Sequence, residues 1–113
     1  MSDITMEEYQ KGALSTAIYP GKGTLMGLIY TALGLGEAGE LQGKVKKILR
    51  DANDILTDEV HTAIVSELGD ILWYLAAMSD ELGVPLSDVA RYNLMKLADR
   101  KARGKLQGDG DIR

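Results

Sequence analysis

The chain has 113 residues, 45% hydrophobic and 27% charged, an ordinary balance for one folded domain spanning 1–113 that argues against disorder. With no cysteine and one histidine, it excludes disulfides, thiolate zinc sites, iron–sulfur clusters, cysteine nucleophiles and multi-histidine metal sites. The net charge of −4 disfavours nucleic acid as a general partner, and no apolar run is long enough for a membrane span or a signal peptide, so a cytoplasmic protein is expected.

Thr5 is a candidate cap for a first helix, with Glu7 and Glu8 in its first turn, where the helix dipole favours acids. That helix is expected to end near Tyr19, because Pro20-Gly21-Lys22-Gly23 reads as a loop. The Gly-Lys-Gly-Thr run there lacks phosphate-loop spacing and no strand precedes it. A second helix is predicted from about Thr24 to Arg50. Its several glycines cost roughly 1 kcal/mol each against alanine where exposed, a cost easier to understand where another backbone packs closely. Asp51-Ala52-Asn53-Asp54 reads as a turn.

A third helix is predicted to begin at Thr57 or Asp58, with Ile64, Leu68, Ile71, Leu72, Leu75, Met78 and Leu82 at helical spacing and Gly83 as its stop. Ser87 is the expected cap of a fourth helix running to about Arg103, with Val89, Leu94 and Leu97 as its apolar stripe. The tail over 104–113 is glycine-rich and polar, either flexible or closing over a site. The fold class is all-α, a four-helix bundle. Residues 71–78 are apolar around the full circumference, and a chain this short cannot easily enclose one of its own helices. The bundle is therefore expected to be completed by oligomerisation, as a homodimer or tetramer.

Charge is segregated: residues 1–90 hold 6 basic and 14 acidic side chains, residues 91–113 hold 7 and 3. Blocks of opposite sign suit a site for metal plus polyphosphate, although two solvated helix faces give the same pattern. Glu37-Ala38-Gly39-Glu40 and Glu67-Leu68-Gly69-Asp70 each place two carboxylates three residues apart on one helical face. Both pairs stand beside apolar stretches, where unpaired acids are costly. If the two helices are antiparallel neighbours, the four acids form one cluster that repels itself without cations. Hard cations with oxygen ligands answer that repulsion, magnesium foremost, with manganese as a substitute. A di-iron bundle needs a Glu-x-x-His motif on each of two helices; Asp58 stands three before His61, and there is no second motif.

These residues resemble the MazG-like, all-α nucleoside triphosphate pyrophosphohydrolases. The core of the likeness is Gly34-Leu35-Gly36-Glu37-Ala38-Gly39-Glu40 followed, after residues 41–66, by Glu67-Leu68-Gly69-Asp70-Ile71-Leu72-Trp73-Tyr74. The stretches 45–50 and 93–104 are also similar to family signatures, and Tyr9-Gln10 and the closing 107–113 are similar to one branch of small members. Gly36 stands where many relatives carry alanine.

The resemblance implies magnesium-dependent conversion of a nucleoside triphosphate and water to the monophosphate and pyrophosphate. It implies Glu37, Glu40, Glu67 and Asp70 as metal-holding and catalytic acids, with Glu37 or Glu40 a candidate for activating water. Lys96 and Arg100 match the family's phosphate-contacting positions; Asn93 shares their face, and Lys47 with Arg50 is a second candidate source of charge. Trp73 and Tyr74 are candidate stacking surfaces for a base, or core and interface residues. The implied substrate is a purine deoxynucleotide such as dGTP. Alternatives on the same scaffold are a dUTP or dCTP hydrolase, a phosphoribosyl-ATP pyrophosphohydrolase, or a non-catalytic nucleotide-binding regulator.

Overall fold

The computed structural model describes residues 2–51 and 55–107. Five helices account for its regular structure: α1 (Met6–Leu14), α2 (Leu25–Gly34), α3 (Glu37–Asp51), α4 (Asp58–Glu81) and α5 (Leu86–Ala102). No strand occurs among the described residues, as expected for an all-α chain. No helix is long and apolar enough to cross a membrane. Residues 52–54 of the expected turn and 108–113 of the expected tail lie outside the described residues.

Thr5 begins α1 as predicted, and through a reciprocal pair of bonds. Its hydroxyl accepts from the Glu8 N–H at 3.0 Å, and Glu8 accepts from the Thr5 N–H at 3.0 Å. The helix ends at Leu14, short of the expected Tyr19. The hydroxyls of Ser15 and Thr16 donate back to the carbonyls of Gly12 and Ala13, offering the backbone an alternative to further helix.

The helix expected over 24–50 is two helices. Gly34-Leu35-Gly36 breaks it: the N–H groups of Leu35, Gly36, Ala38 and Gly39 all bond three residues back instead of four. The break gives α3 its own N-terminus, with Glu37 and Glu40 in its first turn.

Thr57 caps α4, accepting from the Val60 N–H at 3.2 Å. Gly83, at φ +71°, stops it. The residue preceding α5 is Pro85, not the expected Ser87, which lies inside the helix. The oxygen that satisfies the first N–H of α5 comes from elsewhere: Gln10 of α1 accepts from Leu86 N at 2.9 Å and donates to the Ala76 carbonyl at 3.1 Å. One buried amide thus ties α1, α4 and α5 together.

Helix α4 is the hub, contacting each of the other four. Its fully buried positions are small, Ala76, Ala77 and Ser79, so α1 can approach closely through Ala13 and on to Ala17. Trp73 packs beside both clusters and donates its indole N–H to Ala13 O at 3.2 Å and Thr16 Oγ1 at 2.9 Å. Beyond Tyr19, the Glu81 carboxylate accepts from the Tyr19 hydroxyl and from Gly23 N at 3.0 Å, fastening the loop before α2 to the end of α4.

Within one chain the apolar stripe of α4 is not enclosed. Leu68, Leu72, Leu75 and Leu82 are exposed, and Ile71, Trp73, Tyr74 and Met78 are half-buried.

Candidate functional site

The break at 35–36 places Glu37 at the start of α3, and the packing of α3 on α4 brings it to Glu67 and Asp70. One carboxylate oxygen from each of these three residues lies within 4.8 Å of the others. Glu40 stands one turn further along α3, exposed and within hydrogen-bonding reach of Glu37, though not one of the three mutually close acids.

The electrostatics are those of crowded acids. Desolvation, hydrogen bonding to Glu67 and repulsion from Glu40 push the Glu37 carboxyl up to about 6. One oxygen of Glu67, Oε2, is buried without a hydrogen-bond partner, while Oε1 lies 3.7 Å from Lys44 Nζ. Among the described residues this is the ion pair that reaches the four acids. A buried carboxylate oxygen left unsatisfied beside two further carboxylates fits a hard divalent cation, because the donor set is entirely oxygen and anionic.

A cleft of about 400 Å³ opens beside the acids, lined by Glu37, Asp70, Trp73 and Tyr74. The Trp73 and Tyr74 rings meet edge to face with centroids 5.0 Å apart. Tyr74 also tilts against Tyr30, which stacks on Tyr19 at 5.1 Å. The Tyr74 phenol is pushed up by desolvation, by Tyr30 and by the charges of Glu37 and Asp70, so it stays protonated beside the acids. Tyr9 of α1 is pushed up by desolvation and by Asp70, which brings the first helix into the electrostatics of the site. The Trp73 N–H is spent on Ala13 and Thr16, while its ring borders the cleft.

The candidate phosphate contacts are spread over two helices. Asn93 and Lys96 are exposed on α5, which packs on α1 and α4. Arg100 is 5% exposed, in the last turn of α5. Lys47 lines a separate groove of about 220 Å³ with Lys44, Glu59, Val60 and Ala63. The pairing of Lys44 with Glu67 was not expected from the sequence. The available signal was its spacing: four residues after Glu40 and seven after Glu37 puts all three on one helical face.

Carboxylate oxygens from two successive helices thus converge beside an aromatic cleft in an all-helical protein. The chain belongs to the MazG nucleotide pyrophosphohydrolase domain family, whose model matches residues 28–104. It is also similar to a protein of Mycobacterium phage L5 described as Gene 37 protein, with 50% identity over 109 residues, covering 93% of this chain and 96% of that protein. No solved structure matches the chain. The family match spans both acidic pairs and begins within α2, so α1 and its Tyr9 and Gln10 lie outside it.

Proposed function

We propose that the protein hydrolyses a deoxynucleoside triphosphate at its α,β-anhydride. The oxygen of water joins one phosphorus, the bridging oxygen leaves with the other, and the products are monophosphate and pyrophosphate. The observation that carries this reading is the convergence of Glu37, Glu67 and Asp70 within 4.8 Å, with a buried Glu67 oxygen left unpartnered, in a chain of this family. Magnesium, or manganese in its place, held by these three acids with Glu40 alongside, would supply Lewis-acid charge to the phosphate oxygens and acidify water.

The chain's own groups do the rest. In this reading Glu40, exposed beside Glu37, orients and deprotonates water. Trp73 and Tyr74 offer ring surface to a base. In this reading Lys96, Arg100 and Asn93 on α5 and Lys47 on α3 supply donors for the phosphate chain. The family resemblance favours a purine deoxynucleotide, dGTP foremost. An intact set of four acids counts against a regulator without activity.

We also infer a homodimer or a dimer of dimers. The chain exposes 8472 Å² at a mass of 12.3 kDa. A compact monomer of that size exposes about 6,100 Å². The excess includes apolar residues of α2, Leu25 at 71% and Leu33 at 75%, together with the open stripe of α4. A second copy, related by closed symmetry, is the occupant that covers both. Light scattering that finds only a 12.3 kDa species at micromolar concentration contradicts this.

The activity is tested with the eight common nucleoside triphosphates and magnesium, reading monophosphate and pyrophosphate for each. The proposal expects the highest kcat/KM with dGTP. A preference for dUTP or dCTP moves the protein to the pyrimidine reading on the same scaffold.

A further inference from the structure

Lys44 pairs with one of the three converging acids. Its Nζ is 3.7 Å from Glu67 Oε1, and that carboxylate belongs to the three whose oxygens converge. The lysine side chain is 37% exposed and the glutamate 13%, so the ammonium approaches from the solvent side of a mostly buried acid. Lys44 also borders the groove it shares with Lys47, outside the acidic group. It therefore belongs to both the acidic site and the neighbouring basic surface.

We propose that Lys44 is the resident counter-ion of the acidic site and biases it against free metal in favour of a metal–nucleotide complex. The inference rests on the proposed activity. A single positive charge on Glu67 offsets part of the repulsion among three carboxylates. The same charge opposes a divalent cation arriving alone, because two cations then share one carboxylate. A cation that arrives with a triphosphate brings net negative charge, and the ammonium then attracts the incoming complex. Lys44 is thus a positioning residue for charge, acting through Glu67 and toward the phosphates.

The test compares the whole protein with Lys44→Gln and Lys44→Arg by calorimetry. One titration uses magnesium alone; the other uses the magnesium complex of α,β-imido-dGTP. Removing a charge roughly 6 Å from a divalent ion in a solvent-exposed setting is worth about tenfold in affinity. Lys44→Gln is expected to bind free magnesium about tenfold more tightly and the magnesium–analogue complex more weakly than the parent. Lys44→Arg is expected to follow the parent in both, which a purely structural role would not require. If the free-magnesium affinity of Lys44→Gln does not rise, if its analogue affinity does not fall, or if Lys44→Arg behaves like Lys44→Gln, the assignment is overturned. A parent that binds neither magnesium nor the complex overturns the proposed activity as well, which separates the two failures.

Discussion

The ring of Tyr74 lies against the backbone of Gly34, so close that a methyl group on that glycine would collide with the ring. Gly34 is the last residue of α2, and Tyr74 lines the cleft beside Glu37 and Asp70. The close approach of α2 to α4 and the shape of the cleft therefore depend on the same absent side chain. Gly34→Ala is expected to lower stability by about 1–3 kcal/mol through overpacking. In a Tyr74→Ala background most of that cost should vanish, because the neighbours couple. Urea denaturation of the four proteins in the cycle measures this. Equal costs in both backgrounds would contradict the contact.

Gln10 joins three helices with one amide. Gln10→Ala leaves Leu86 N without its partner in a buried setting and removes the side-chain bond to Ala76 O. The expected loss is about 1–3 kcal/mol. Hydrogen exchange should show the first turn of α5 opening more readily than the rest of that helix. An unchanged denaturation midpoint would show that water replaces the amide at no cost.

Glu81 sets part of the acid sensitivity. The Tyr19 hydroxyl, the Gly23 N–H and nearby Lys22 hold its carboxyl below the ordinary glutamate value. A carboxyl depressed in the folded state contributes stability above its unfolded value, about 4.3, and that contribution is lost as pH falls through the lower folded value. Glu81→Gln is therefore expected to be less stable than the parent at neutral pH and to lose less on acidification. Thermal melts from pH 7 down to about 3 read the difference. Parallel losses in parent and variant would contradict it.

The acids should divide into two kinds. Glu37, Glu67 and Asp70 bring their oxygens together, and Glu40 reaches that group through Glu37. Conversion of Glu67 to Gln or Asp70 to Asn is expected to weaken magnesium binding and turnover together. Glu40→Gln is expected to cut turnover by about 10²- to 10⁴-fold, the range of general-base catalysis, while leaving magnesium binding to the free protein near the parent value. Calorimetry paired with initial rates separates these outcomes. A Glu40→Gln variant that loses magnesium binding would place Glu40 among the metal-holding acids.

Local signals read well from the sequence. Thr5 with Glu8, Thr57 and Gly83 each act within a few residues, and each does what its neighbours require. The acidic spacing was equally readable, because three-residue separations fix a helical face whatever the tertiary structure. The break at Leu35-Gly36 was not, since glycines beside apolar residues suit a close helix crossing as well as a turn. Gln10 and Lys44 were not legible as partners of α5 and Glu67, because both pairings depend on how separate helices pack. The exposed Leu68, Leu72 and Leu75 have the periodicity of a core without being enclosed by their own chain. Their pattern reports an apolar face and says nothing of what covers it.

The most direct measurement is a product balance. The protein is incubated with dGTP and magnesium, and every phosphate-containing product is quantified over time. Hydrolysis at the α,β-anhydride predicts monophosphate and pyrophosphate in equal amounts. Neither should form without a divalent cation, and formation should be greatly reduced in Asp70→Asn. Release of orthophosphate with the diphosphate, or turnover that survives both metal removal and Asp70→Asn, would contradict it.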